Sequence, residues 1–253
     1  MHRLNFHHLL CWLAALAVAL TASAMAATDA TLPDRESLLA AYREGNFKEA
    51  YDGLRRLIVA QDADTATINA DLSTAVGCLR QLNRVDEVDT LLEQTVAAHP
   101  KSWQALAAVA NQYGSIEHFG YLIGGEFHRG QHRGGGRMVH ATDRDRVRAL
   151  QLYRRAVELA EAEPNKVEAA AMLRSFAVVL AYGGDTSQYW RLQSLTDLAT
   201  LPDYEEGWGY NNSGLQGAPV GADGKPVYYN LPTSWDAANS DGERWRWCGF
   251  WIF

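Results

Sequence analysis

Apolar residues recur every three or four positions along much of the chain, which is the spacing of one face of an amphipathic α-helix. Between residues 45 and 100, a polar turn followed by such a stretch occurs twice. The apolar faces of the two stretches comprise Ala50, Leu54 and Leu57, and then Val88, Leu92 and Val96. A further helix before each turn completes a helix–turn–helix unit, so the pattern predicts an all-α fold of paired helices.

The same periodicity predicts a helical domain over residues 34–202, in which the units stack because none can bury its apolar face alone. The expected helices cover 34–44, 47–60, 65–82, 86–98, 100–113, 142–163, 166–182 and 186–198. Thr142 and Asp145 form a T-x-x-D pattern that resembles a capping box, so Thr142 is the expected N-cap of the sixth helix.

In three of the second helices, a small or β-branched apolar residue is followed four positions later by a larger one. The residues are Ala50 and Leu54, then Val88 and Leu92 with Pro100 following, then Ala149 and Tyr153. This resembles one half of the tetratricopeptide motif, A-x3-F followed by proline. The copies start 38 and then 61 residues apart, whereas the family repeats about every 34 residues. The other half of the motif, W-x2-L-G-x2-Y, is missing.

The tetratricopeptide resemblance implies a solenoid whose groove receives a peptide or a partner protein. The first helix of each pair would line this groove. On that geometry the candidate binding residues are Arg43, Arg80, Gln81 and Asn111. No catalytic motif accompanies them, since G-x-S-x-G is absent and the pair at 205–206 is expected to be a solvated acidic pair. The expected class is an interaction protein and not an enzyme, with no cofactor.

A segment rich in glycine, histidine and arginine, residues 114–141, interrupts the helical pattern. Between residues 126 and 148 there are six arginines against three acidic residues. The first interpretation is structural: the insertion folds across the concave face, and its glycines permit close backbone approach. The second is anion binding by Arg129, Arg133 and Arg137, because guanidinium groups match carboxylates and phosphates. The expected counterpart is then an acidic protein segment and not nucleic acid.

The same insertion raises the alternative of a metal site. The candidate ligands are His118, Glu126, His128, His132 and His140, which are of the types that zinc uses. Against this, the glycine-rich run disfavours the helix on which His128 and His132 would share a face, and H-E-x-x-H is absent. We therefore expect a surface loop without a metal. The alternative function is a metal-dependent or carbohydrate-binding protein or enzyme that uses these histidines and the aromatic residues of the tail.

The N-terminus has the pattern of a secretory signal peptide over residues 1–26. A short segment with Arg3 precedes an apolar run at 9–20, and the sequence at 24–26, Ala-Met-Ala, offers a cleavage site. The run is short for a membrane span, so the mature chain is expected to be secreted or periplasmic, without a membrane span. The formal net charge of −7 disfavours a nucleic-acid partner. Export permits disulfides, but the distant Cys78 and Cys248 do not establish one.

Residues 203–253 are predicted to form an irregular aromatic tail, which holds five of the eight tryptophans. Asp223-Gly224 predicts a small hairpin within residues 217–229, and Ser-Asp-Gly-Glu at 240–243 predicts the start of a helix. That helix is expected to have no room to form before the apolar end of the chain at Phe253. The pattern favours a truncated gene product, and the alternative is an aromatic end that docks on the helical repeats.

Four segments carry a second resemblance. They are RDRVRAL at 144–150, GAPV at 217–220, DGKPVYY at 223–229 and SDGERWRW at 240–247. Together they are similar to a junction in large exported bacterial proteins of the alpha-2-macroglobulin type. In that group a helical-repeat region precedes an array of β-sandwich domains that traps proteases. The resemblance implies an N-terminal fragment of such a protease inhibitor, which lacks the array and could not trap a protease itself.

Overall fold

The computed structural model describes residues 32–206, 222–224 and 228–250. This part is mostly helical, as the apolar spacing predicts. Its α-helices are α1 Arg35–Arg43, α2 Phe47–Ile58, α3 Ile68–Gln81, α4 Val88–Ala98, α5 Trp103–Tyr113, α6 Thr142–Ala160, α7 Lys166–Leu180 and α8 Asp241–Phe250. Short 3-10 helices cover Val85–Glu87, Tyr182–Gly184, Thr186–Gln193 and Trp235–Ala237. None of the described helices is both long and apolar enough to cross a membrane.

The helices pack in sequence around one hydrophobic core. α1 contacts α2, α2 contacts α3, α5 lies against both α3 and α6, and α7 lies against both α6 and α8. Fully buried leucines at the centre include Leu54, Leu72, Leu92, Leu106 and Leu150. Burying each contributes roughly 1.5–3 kcal/mol relative to leaving it in water. These are positions that the apolar spacing assigns to the buried faces, so the spacing accounts for both the helices and their packing.

Two of the helix predictions are wrong in detail. The segment expected to be a helix at 186–198 is a 3-10 helix, Thr186–Gln193; it is rich in residue types of modest helix propensity. Thr142 is not the N-cap of α6, because Ala141 occupies that position and no side chain caps the helix. Asp145 does not complete a capping box, since its carboxylate is bound by Arg129 and His118.

The insertion contains a small sheet, which corrects both the all-α and the surface-loop expectations. The strands are β1 Phe119–Ile123, β2 Glu126–Arg129, β3 Arg137–His140 and β4 Glu205–Glu206, in the antiparallel order β2-β1-β3-β4. Gly124 and Gly125 join β1 to β2 with φ values of +60° and +90°. A two-residue turn with both φ values positive matches the twist of a hairpin and favours glycine at both positions.

Replacing Gly120 with alanine is expected to lower the free energy of unfolding by about 1–3 kcal/mol. A Cβ at this position in β1 would lie 2.3 Å from the carbonyl oxygen of His128 and 2.6 Å from the Phe127 ring, so β1 and β2 would have to move apart. Urea-induced unfolding measures the change. Gly135→Ala is the control, because a Cβ there meets nothing within 4 Å. Equal losses in the two variants would contradict this account of the hairpin.

The capping signal at 240–243 is confirmed. Ser240 Oγ accepts a hydrogen bond of 3.2 Å from the Glu243 amide, and the Glu243 carboxylate accepts one of 2.7 Å from the Asn239 amide. The helix continues to Phe250, so the expectation that it had no room to form is wrong. Its Cys248 is buried and, like Cys78, is a free thiol. Most of the hairpin predicted within 217–229 lies outside the described residues.

Candidate interaction surface

The start of α6 carries a run of charged residues that bind different parts of the chain. The pairs are Asp143 with Arg191, Arg144 with the Pro202 carbonyl oxygen, Asp145 with Arg129, Arg146 with Asp241, and Arg148 with Glu93. Because a helix turns once in 3.6 residues, a run of this length reaches neighbours on every side. We call residues 143–148 the charged hub. It holds together the insertion, the segment after α7, and α8.

Arg129 of β2 connects the insertion to the helices. Its guanidinium donates to both carboxylate oxygens of Asp145, at 2.7 and 2.9 Å, and to both of Asp89, at 3.0 and 2.7 Å. The side chains of Arg129 and Asp145 are only 2% and 4% exposed. Burial disfavours the charged guanidinium, but the hydrogen bonds that it donates to Asp145 and Asp89 outweigh this effect, so the pKa of Arg129 is raised. His118 Nδ1 lies 2.8 Å from the same Asp145 carboxylate.

An aromatic column joins the insertion to the segment before β4. The rings of Phe127 and Tyr204 stack with centroids 4.6 Å apart. The Arg129 guanidinium lies 5.2 Å from the Phe127 centroid, and the Arg144 guanidinium lies 4.8 Å from that of Tyr204. Cation–π attraction at each end adds to the stacking between the two rings. Both rings are thus engaged in contacts within the chain.

A polar cleft of about 400 Å³ opens beside the hub, with Asp143, Tyr182, Arg191 and Glu205 among its walls. Tyr182 has a positive φ of 52° and lies near two guanidinium groups, with Arg146 at 3.8 Å and Arg191 at 4.7 Å from its ring centroid. Desolvation and the nearby Asp143 carboxylate raise the pKa of Glu205. Arg191 is held 2.5 Å from Asp143, so the charges of this cleft are largely engaged with one another.

A second cavity, of about 560 Å³, has an apolar lining and lies between α7 and α8. We call it the apolar groove. Its lining includes Ala177 and Val178 of α7, Leu231, and Trp245 of α8, and the charged residues among the described ones that line it are Arg174 and Arg246. Val178, Leu231 and Trp245 are 47%, 43% and 44% exposed. The groove is therefore a place where the described surface leaves large apolar side chains uncovered.

The four residues expected to line a tetratricopeptide-type groove lie in different surroundings. Arg43 and Gln81 are exposed at the C-terminal ends of α1 and α3. Arg80 donates to the Glu117 carboxylate at 2.7 Å and to the Ser115 carbonyl oxygen at 2.9 Å. Asn111 accepts a hydrogen bond of 2.5 Å from the Tyr153 hydroxyl. Arg80 and Asn111 thus serve contacts within the chain, and their role in binding stays a prediction.

The three arginines expected to bind an anion also separate. Arg129 is buried and paired, as described above. Arg137, at the start of β3, is paired with Glu206 of β4. Arg133 is exposed between β2 and β3 and has no ion-pair partner among the described residues. The structure therefore does not bring the three guanidinium groups to one common site.

The histidines proposed as metal ligands are likewise dispersed. His118 is held by Asp145, and the buried Nε2 atom of His140 has no hydrogen-bond partner within the described ranges. The rings of His128 and His132 lie 6.0 Å apart, and no group of three or more potential ligands that could hold a metal occurs among the described residues. Of the tail aromatics offered for sugar binding, Trp235 is buried and stacks on Phe176 at 4.9 Å. Trp247 is half-buried and lies edge-on to Trp235 at 5.9 Å.

The apolar groove is the feature that sequence reasoning did not find. One signal was present: Arg174, Ala177 and Val178 of α7 and the following Ala181 recur at helical spacing, and that face could have been assigned to an interface. The second wall, α8, was expected to be too short to form. No protein-family model, curated protein or solved structure matches this chain.

Proposed function

We propose that this chain is an exported protein-interaction module whose binding surface is the apolar groove. The observation that carries the proposal is the exposure of Val178, Leu231 and Trp245 around a single cavity. A contiguous exposed apolar patch with a polar edge is typical of a protein-binding site. Aromatic residues and arginine are also the residue types enriched at protein interfaces.

The helices before the groove fit a supporting scaffold of tetratricopeptide type. The motif residues Ala50, Leu54, Val88, Leu92, Ala149 and Tyr153 are all completely buried, as residues that fix the packing of helix pairs should be. The segments 144–150 and 240–247, which resemble a junction in alpha-2-macroglobulin-type proteins, meet through the ion pair of Arg146 and Asp241. We infer that the module is the N-terminal part of such an exported inhibitor. Its role there is to deliver or position a partner protein.

Site-directed photo-crosslinking tests this function. A benzophenone amino acid at Val178, inside the groove, is expected to capture a discrete second protein in cells that export the chain. The same amino acid at Val167 is the matched control, since both valines are exposed on α7 and Val167, at 80% exposure, is not part of the groove lining. Probes at Gln81 and Arg133 test the surfaces expected from the sequence. Failure of the probes at Val178, Gln81 and Arg133 to yield any adduct beyond that of the Val167 control would refute the interaction role.

A further inference from the structure

Among the described residues, the charged side chains that line the apolar groove are all positive. Its charged lining residues are Arg174 and Arg246, and no acidic residue is among the described residues that line it. The chain as a whole has a formal net charge of −7, so the groove differs in sign from the average surface. An isolated pair of arginines beside an apolar floor is complementary to carboxylates that flank apolar side chains.

Both guanidinium groups have donors to spare. Arg174 is exposed and has no hydrogen bond or ion pair with any described residue. Arg246 donates from one nitrogen to the Tyr229 carbonyl oxygen at 2.6 Å and has no acidic partner in the described part of the chain. In the charged hub, by contrast, Arg146 and Arg148 are paired with Asp241 and Glu93. Guanidinium groups bind carboxylates with two parallel hydrogen bonds when the partner is free to align.

The floor of the groove is shaped for a side chain to enter and for a backbone to approach. Arg174, Ala177 and Val178 lie on one face of α7, and Ala181, the C-cap of the helix, follows them along the same side of the groove. Ala177, Ala181 and Gly249 are small, whereas Val178 and Trp245 project as large anchors. Recognition of an amphipathic segment by such a groove depends on apolar anchors spaced along one face of that segment.

We infer that the apolar groove takes an amphipathic segment of a partner protein, in which acidic residues flank apolar anchors. The carboxylates of the segment bind Arg174 and Arg246, and its apolar side chains cover Val178, Leu231 and Trp245. This inference rests on the proposed function and specifies its partner. A symmetric pairing of two copies through this groove is disfavoured, because it would bring the same two arginines of each copy together.

Selection from a random library of 12-residue peptides, displayed on phage and panned on the full-length protein, tests the inference. The selected peptides are expected to carry a net negative charge and two or more large apolar residues. Arg174→Glu is expected to weaken their binding about five- to tenfold, since an exposed ion pair is replaced by repulsion. Trp245→Ala is expected to weaken it about tenfold or more, since aromatic anchors dominate such interfaces. Val167→Lys is the control and should leave the affinity unchanged.

The possible outcomes distinguish a failure of this inference from a failure of the proposed protein-binding function of the groove. One outcome is that the selected peptides bind Val178→Lys more weakly than the wild type and yet show neither an enrichment in acidic residues nor a response to Arg174→Glu. That result would overturn the inference that the partner segment is acidic, but the groove would still be a peptide-binding site. Selected peptides that bind Val178→Lys as well as the wild type would overturn the groove itself. A photo-cross-link from position 178 to another segment of the same chain, or to a second copy of it, would show that this chain itself occupies the groove. That result would also overturn the inference. Thermal unfolding of each variant confirms that it remains folded.

Discussion

Replacing Arg129 with alanine is expected to lower the free energy of unfolding by about 3–5 kcal/mol. The substitution removes the guanidinium that bridges Asp89 and Asp145. Asp145 stays almost completely buried and keeps only the contact with His118 among those described above. An uncompensated buried carboxylate is far costlier than the loss of an exposed pair, because the interior cannot replace the hydration that the charge has given up. Urea-induced unfolding followed by far-ultraviolet circular dichroism measures the loss.

Two further variants define the cause. Arg133→Ala removes a guanidinium from the same insertion, but this residue is exposed and has no ion-pair partner in the described part of the chain, so its effect should stay within about 0.5 kcal/mol. Arg129→Lys keeps the charge but cannot donate to both carboxylates through a planar fork, so we expect an intermediate loss. If Arg129→Ala unfolds at the same urea concentration as Arg133→Ala, the buried network does not anchor the insertion.

The helical part of the fold could be predicted because its information is local. Leu54, Leu92 and Leu150 are buried at the positions that the 3.6-residue period assigns to them. The capping signal at 240–243 is also local, and it correctly marks the start of α8. Predictions of this kind succeed where hydrogen bonding and apolar spacing are set by residues within one or two turns.

The sheet was missed although a local signal for it exists. Gly124-Gly125 separates two short stretches with aromatic and aliphatic residues, and a pair of glycines is one of the favoured two-residue hairpin turns. The surrounding arginines, histidines and glycines suggested a solvated loop and outweighed that signal. The later pairing of β4 with β3 could not be read in this way, because His140 and Glu205 are brought opposite each other by contacts distant in sequence.

The partners of the charged hub could not be predicted for the same physical reason. Arg148 binds Glu93, 55 residues away, and Arg146 binds Asp241, 95 residues away. The residue types at 143–148 indicate many charged contacts but not which ones. Similarly, Arg80 was proposed for a partner from the tetratricopeptide resemblance, and Arg129 and Arg137 from the composition of the insertion. The folded chain pairs each of the three with a carboxylate of its own.

Replacing Asp241 with alanine is expected to release α8 and to raise the reactivity of Cys248 toward a thiol reagent by about 10²- to 10³-fold. Asp241 is completely buried and accepts from Arg146 at 3.0 Å, from the Thr196 amide at 3.1 Å and from Arg244 at 3.3 Å. Its loss leaves two poorly hydrated guanidinium groups without their carboxylate, at a cost of about 3–5 kcal/mol. About 1.4 kcal/mol corresponds to a tenfold change in population. The state in which α8 is detached and Cys248 is exposed therefore becomes about 10²- to 10³-fold more populated.

Labelling with 5,5′-dithiobis(2-nitrobenzoic acid), with the modified cysteines assigned by peptide mass mapping, distinguishes local from global opening. Burial raises the pKa of Cys78 to about 11 and also raises that of Cys248, and the thiolate is the reactive species, so both thiols should react slowly in the wild type. In Asp241→Ala, Cys248 should accelerate much more than Cys78. Asp236→Ala is the control, because that carboxylate is 81% exposed and lies 3.5 Å from Arg154. Equal acceleration of Cys78 and Cys248 would show that α8 cannot detach unless the core unfolds. The Arg146–Asp241 pair would then stabilise the whole helical domain, and not only the docking of α8.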